Sequence, residues 1–342
     1  MRIALAGRDA VVTDVTPVKG RMRCLVPREE RMKIDLAVNF ALIGIPQKDR
    51  TQARVLMSMM AGHPYRLVSY WYFRDVPDAA LILRALVDDP QNLIIDSGLF
   101  SLMFGSEKGT LPETYDAYRD YTRRYLDDLA KWDFPCIVVE ADTHRLLGMD
   151  ATLRLREEFA PLGDRVIYVW HEPEGLDGLV ELARTRSYIA ISVPEMRMLS
   201  SRGSHVGQGR QVERMVSDLL VRVHGACEVP PRIHLLGCTV PEMMQTRLAY
   251  SCDSTSWLSG LRFGNAVIWE PLTGLQTVAT RSPRFQAYAQ RAAEQFPDAL
   301  AFAKQQDNPD YYVNCIGCAF AYTQYQQWLD SRFTPVPMRG AR

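Results

Sequence analysis

Short apolar runs alternate with longer stretches of helical periodicity along most of the chain. The runs are Ile3–Ala6, Leu67–Phe73, Leu93–Ile95, Cys136–Val139, Val166–Trp170, Ile189–Ile191, Ile233–Leu236 and a weaker one at Ser251–Trp257. Near-continuous apolar runs of this length predict strands buried on both faces, as in a parallel sheet covered by helices. The segments between them carry the helices. Glu113–Trp132 places Tyr115, Tyr118, Tyr121, Thr122, Tyr125, Leu126 and Leu129 at spacings of three and four, an amphipathic stripe, with Leu111–Pro112 as its entry. Pro241–Ser251, with Thr239 as a cap, and the stretches Ala79–Val87 and Leu153–Phe159 read the same way. Eight such units predict an α/β fold, a (β/α)8 TIM barrel. An open doubly wound sheet is the alternative, but no Gly-rich dinucleotide turn follows the first run.

Two regions exceed a bare barrel. Residues 9–65 are too long for one connection and predict an insertion within a catalytic barrel spanning 1–281. Residues 282–342 predict a C-terminal helical extension, with helical patterns at Phe285–Gln295 and Ala319–Leu329 and a frayed Pro- and Gly-bearing tail, FTPVPMRGAR.

Composition narrows the class. The 342 residues are 47% hydrophobic and 23% charged, a globular balance. Forty basic and forty acidic residues cancel, which excludes a strongly basic non-specific nucleic-acid binder but not a local basic groove. Of the basic residues 34 are Arg, suited to phosphate contacts and also the product of a GC-rich coding sequence. Arg119, Arg123 and Arg124 form either a basic face or a solvated helix surface. No apolar run is long enough to span a membrane, and Arg8 and Asp9 end the first run too early for a signal peptide. The seven scattered Cys suggest no disulfide framework and point to a reducing cytoplasm.

In a barrel of this kind reactive groups sit at the C-terminal ends of the strands. Those ends hold Asp96-Ser97-Gly98, then Glu140-Ala141-Asp142-Thr143-His144, then His171-Glu172-Pro173, Gly237-Cys238-Thr239 and Asp253-Ser254-Thr255-Ser256-Trp257. Each has a structural reading beside the functional one. An Asp after a strand also caps helices and turns, and Gly98 and Gly237 serve either turns or the close approach of a flat ligand.

Four of these segments, IIDSGLFSLMFG (Ile94–Gly105), VVEADTH (Val138–His144), HLLGCTVPE (His234–Glu242) and CDSTSW (Cys252–Trp257), occur in the order seen in the guanine transglycosylase superfamily. The chain resembles the archaeal-type tRNA enzymes and, most closely, the phage-type DNA deazaguanine transglycosylases. The resemblance covers Arg66–Trp269. It implies exchange of guanine for a 7-deazaguanine base, such as 7-cyano-7-deazaguanine, through a covalent Asp-glycosyl intermediate. It assigns the nucleophile to Asp253 and the general acid/base to Asp96. A gapless match to the bacterial tRNA enzymes would instead set Ser256 under the nucleophile, and Ser256 has no evident base. Asp142 is implied to read the guanine-like edge. Ser97, Gly98, Phe100, His171, Gly237 and Cys238 are implied to line the base site, and Arg262 to hold a phosphate. Phe100 and Trp257 either stack on a base or fill the core. The implied partners are DNA, or tRNA as the runner-up, with a homodimer left open. The setting would be the cytoplasm of a bacterium or a phage-infected cell. A non-catalytic deazaguanine- or nucleic-acid-binding barrel is the reading from another class. No cofactor is required by this exchange. Family members often carry zinc on three close Cys and a later His. Here Cys315 and Cys318 have no following His, so they are either part of a zinc site completed from elsewhere, by Cys227, His224 or Cys238, or a packed pair of thiols.

Overall fold

A computed structural model describes residues 2–5, 8–11, 15–18, 21–24, 32–38, 61–76, 79–99, 110–200, 208–246 and 248–332. The strands in chain order are β1 (Arg2–Leu5), β2 (Arg8–Val11), β3 (Val15–Val18), β4 (Arg21–Cys24), β5 (Lys33–Val38), β6 (Arg66–Ser69), β7 (Leu93–Asp96), β8 (Ile137–Val139), β9 (Val166–Trp170), β10 (Tyr188–Ser192), β11 (Arg232–Leu236), β12 (Ser251–Ser254), β13 (Asn265–Glu270) and β14 (Gly274–Ala279). Strands β5 to β12 form a closed eight-stranded barrel in chain order, and the registers of β5 through β9 and of β10 through β12 are parallel. With helices between the strands, this is a (β/α)8 TIM barrel. The remaining strands make three antiparallel pairs, β1 with β2, β3 with β4 and β13 with β14.

The first barrel strand is not where the apolar pattern put it. Arg2–Leu5 pairs with Arg8–Val11 in a hairpin, and the barrel opens instead with Lys33–Val38, inside the region expected to be an insertion. In β5 the apolar run is interrupted by Asp35, which is buried all the same. Arg66 on β6 is buried as well, and its Nη1 donates to the Tyr65 carbonyl at 3.1 Å. Burial pushes the Arg66 guanidinium down to about 10, while the opposite charge of Asp35 pulls it back up. Two further corrections concern element ends. Tyr70–Phe73 is a short helix after β6, and Val240 rather than Thr239 occupies the N-cap of the helix Pro241–Gln245. The two helical patterns expected after residue 282 become three helices, Pro283–Glu294, Pro297–Ala303 and the continuous Pro309–Arg332. The tail after residue 332 lies outside the described residues.

By internal contacts the chain divides into two units. One comprises Met1–Ile34, Trp170–Cys252 and Gln326–Arg342. Here β10 and β11 run through fully buried Ile189, Ile191, Ile233 and Leu235, and a buried chain of Tyr188, Ser251 and His234 links β10, β12 and β11 by side-chain hydrogen bonds. Gln326 is buried and grips the start of β5: its Oε1 accepts from the Ile34 amide at 2.8 Å, and its Nε2 donates to the Met32 carbonyl at 2.7 Å.

The other unit comprises Asp35–Val169 and Asp253–Tyr325. Its helix Tyr115–Trp132 starts at Thr114, whose hydroxyl accepts from the Ala117 amide, and stops at Asp133 in the left-handed region. It buries Tyr118, Tyr121, Thr122, Tyr125 and Leu129 of the stripe its sequence spacing predicts, while Tyr115 and Leu126 are only half-buried. Tyr70 packs against the rings of Tyr121 and Tyr125 with centroids 5.6 and 4.6 Å away. On the outer face of the same helix each Arg meets acidic neighbours. Arg119 pairs with Asp116 and Asp120, Arg123 with Glu158, and Arg124 with Asp75. That face is a solvated, charge-balanced surface and offers no net basic stripe.

Candidate active site

Within the second unit the strand ends carry a set of carboxylates. Asp96 is the last residue of β7, Asp142 follows β8, and Asp253 lies on β12. Burial is the largest influence on Asp96 and raises its carboxyl to about 6; the charges of Asp253 and Asp142 push the same way, and amide hydrogen bonds from Gly98 and Ser97 oppose them. The Gly98 amide donates to Asp96 Oδ2 at 2.9 Å. Asp253 is buried, with 8% of its surface exposed. Asp142 is more open and its Oδ1 lies 2.8 Å from His144 Nδ1, with the His144 ring nearly enclosed.

The turn after Asp96 explains two residues of the DSG segment. Ser97 is buried, and its carbonyl accepts from the Tyr121 hydroxyl at 2.6 Å. Gly98 has φ +80°, and a Cβ there would stand 2.6 Å from both Ser69 Oγ and Trp71 Cβ. Glycine is therefore required by the turn and by the chain's own packing. Gly98→Ala is expected to destabilise the protein by about 2 kcal/mol or more, from left-handed strain plus overpacking. A chemical-denaturation midpoint equal to the parent's would refute this.

Glu140, also at a strand end, has a different task. It is fully buried and accepts from Arg156 Nε at 3.0 and 3.1 Å and from the Val169 amide at 2.7 Å. Arg156 Nη2 in turn donates to the Val169 carbonyl at 2.8 Å. Burial pushes the Glu140 carboxyl upward, and Arg156 and the Val169 amide hold it down. This ion pair ties the end of β8, the backbone of β9 and the helix Met149–Glu157 together.

Ser256 sits in the short helix Ser256–Ser259, its hydroxyl 2.8 Å from Tyr322 OH. Trp257 is completely buried and belongs to the core. Arg262 is exposed on the turn Gly260–Phe263, and its charge reaches Tyr311 on the last helix. Phe100 lies outside the described residues.

The other sequence-predicted residues belong to the first unit. His171 is buried at the end of β9, and its amide donates to Glu174 Oε1 at 2.9 Å, opening a short helical turn. Gly237 has φ +63°, and a Cβ there would meet Pro194 Cγ at 2.7 Å, so this glycine too answers to its turn and its neighbour. Cys238 is buried with its thiol 3.5 Å from Met243 Sδ.

Cys315 and Cys318 lie on the helix Pro309–Arg332, both buried. Burial pushes both thiols upward, Cys318 to about 12, and Cys318 Sγ accepts from the Val267 amide at 3.4 Å. Among the described residues the two cysteines join no group of three ligand-type side chains. Both side chains pack in the core, where a free thiol behaves as a small hydrophobe.

Sequence patterning marks Tyr121 and Tyr125 only as core positions of a helix, and Arg156 not at all. The tyrosines fit a core stripe, and nothing local marks their hydroxyls as bound to β7. No protein-family model matches the chain, and no curated protein is significantly similar to it. Among the described residues no helix is long and apolar enough to cross a membrane.

Proposed function

We propose that the protein is a guanine transglycosylase that exchanges a guanine in DNA for a 7-deazaguanine base. The observation that carries this reading is the pairing of Asp96, poised near neutrality, with the charges of Asp253 and Asp142 on the strand ends of one unit. Two carboxylates with separated tasks are what retention at a glycosidic carbon requires. The order of the four sequence motifs supports the choice of base and polymer.

The steps balance without a cofactor. The Asp253 carboxylate attacks C1′ as the bond from C1′ to N9 of guanine breaks, and neutral Asp96 supplies the proton that the departing guanine takes up. An ester joins Asp253 to the sugar. The incoming base then gives its N9 proton to the Asp96 carboxylate, N9 attacks C1′, and Asp253 leaves. A carboxyl at about 6 is available in both forms near neutral pH, as an acid that becomes a base must be. Asp142 accepts from N1–H and the 2-amino group of either base, and His144 holds its Oδ1. The target nucleotide has to leave the duplex, at a cost of about a few kcal/mol.

Asp96→Asn separates stability from activity. Because the folded protein binds this proton more tightly than the unfolded chain does, ionising Asp96 costs stability as the pH rises through about 6, and the full cost is present at pH 7. The variant, which never ionises, is expected to be about 1–3 kcal/mol more stable than the parent at pH 7 and to lose that advantage near pH 4. Base exchange should fall by on the order of 10³-fold or more. Thermal melts at the two pH values check the first effect, and a pH-independent difference would contradict it.

The reaction itself is tested by mass spectrometry of nucleosides from cellular DNA and tRNA, with the protein expressed beside a supply of 7-deazaguanine precursors. A deazaguanine nucleoside in DNA is the expected result. The mark in tRNA alone would replace DNA with tRNA as the polymer. If neither polymer carries it, purified protein with labelled guanine and duplex DNA decides between exchange and a non-catalytic barrel.

A further inference from the structure

The hydrogen bonds behind Asp96 form a relay through a single peptide group. Tyr121 OH donates to the Ser97 carbonyl at 2.6 Å, and the amide on the other side of that same peptide, Gly98 N–H, donates to Asp96 Oδ2 at 2.9 Å. One turn further along the helix, Tyr125 OH donates to the Ile95 carbonyl at 2.7 Å. Two hydroxyls from one helix therefore hold the carbonyls on either side of Asp96, but of the two only Tyr121 acts on a peptide whose N–H binds the carboxylate; the second amide donor, Ser97 N–H, belongs to the preceding peptide. Tyr70 packs on both rings and is itself fixed by Asp128, its hydroxyl donating to Oδ2 at 2.7 Å. A carbonyl that accepts a hydrogen bond makes the N–H across its peptide a stronger donor.

We propose that Tyr121 is the positioning residue for Asp96, orienting and polarising the Ser97–Gly98 peptide so that its N–H stabilises the Asp96 carboxylate. The hydroxyl thereby offsets part of what burial and the neighbouring charges do to Asp96. Burial also keeps the Tyr121 phenol protonated well beyond the neutral range, so it remains a donor throughout. The groups that act on Asp96 are Asp253 from β12, Asp142 after β8, and Tyr121 and Tyr125 from the helix Tyr115–Trp132. Arg74 and Arg124 act on Tyr121 from its outer side. The Tyr121→Phe change leaves these charges in place and removes only the hydroxyl.

The consequence for catalysis rests on the transglycosylase reading, but the relay does not, and the experiment measures the relay directly. Whole protein labelled with ¹³C at the aspartate carboxyl is titrated by NMR, with Asp96 assigned by the signal lost in Asp96→Asn. Tyr121→Phe is expected to raise the Asp96 midpoint by about half a pH unit or more, while Tyr125→Phe moves it by less than about 0.2. No shift in Tyr121→Phe, or an equal shift in both variants, overturns the relay in favour of general loosening of the helix. Should Tyr121→Phe fail to fold, 3-fluorotyrosine at position 121 keeps the shape and strengthens the donor. The midpoint is then expected to fall, and an unchanged one overturns the proposal. The titration reads Asp96 whether or not bases are exchanged, so a silent enzyme and a silent relay are distinct results. In an active enzyme the same shift should appear in the pH profile of kcat, with KM unchanged.

Discussion

Asp253→Ala is expected to abolish base exchange, with a loss on the order of 10⁴-fold or more, while the protein keeps its fold. The carboxylate is the only group in the proposed sequence that bonds to the sugar, so its removal leaves no covalent path. Asp253 is buried on β12, and its charge helps to raise Asp96. Its removal should therefore also lower the Asp96 midpoint, a second readout of the same variant. Ser256→Ala is the paired control. The Ser256 hydroxyl lies 2.8 Å from Tyr322 OH on the last helix. That variant is expected to stay within a few-fold of the parent, roughly the loss of one hydrogen bond at about 1 kcal/mol. Release of labelled guanine from DNA, with circular dichroism to check folding, measures both. Activity in Asp253→Ala, or its loss in Ser256→Ala, would transfer the nucleophile to the other motif register.

The largest effect on stability is expected at Glu140. Glu140→Ala removes the carboxylate that faces the buried Arg156 guanidinium and deprives the Val169 amide of its acceptor. Breaking a buried ion pair from one side costs about 3–5 kcal/mol. For a chain of this size that is a large fraction of total stability. Replacing both partners, Glu140→Gln with Arg156→Met, leaves no uncompensated charge and should recover more than half of the loss. Urea denaturation of the parent, the single variant and the double variant tests this. A single variant within about 1 kcal/mol of the parent, or a double variant less stable than the single, would show that the pair does not hold the strand ends together.

Seven of the eight barrel strands overlap the runs marked in the sequence, six of them because a strand buried on both faces is mostly apolar; β12, Ser-Cys-Asp-Ser, matches only the weaker run at Ser251–Trp257. The eighth, β5, escapes the pattern because Lys33 and Asp35 divide it, and a buried Asp looks like a turn residue until its surroundings are known. Conversely Ile3–Ala6 is apolar enough for the barrel, yet its strand finds an antiparallel partner only a few residues on. Apolarity cannot tell these two fates apart. Asp96, Asp142 and Asp253 were legible as strand-end carboxylates, since the fold dictates which end of a strand faces the site. Glu140 had the same signature but turned inward, a difference decided by Arg156 sixteen residues later. The tyrosine hydroxyls could not be read at all. Their targets are main-chain carbonyls 24 and 30 residues away, and main chain carries no side-chain signal.

The grip of Gln326 on Met32 and Ile34 spans 294 and 292 residues of chain. Ribosomal synthesis runs from N-terminus to C-terminus, so β5 emerges long before the side chain that satisfies its leading amide and carbonyl. Until the helix Pro309–Arg332 has been made, the Ile34 amide and the Met32 carbonyl lack this side-chain partner. These two bonds therefore wait for the helix Pro309–Arg332. A nascent chain halted before residue 326 should remain sensitive to protease, whereas one released just beyond the helix should acquire resistance in a single step.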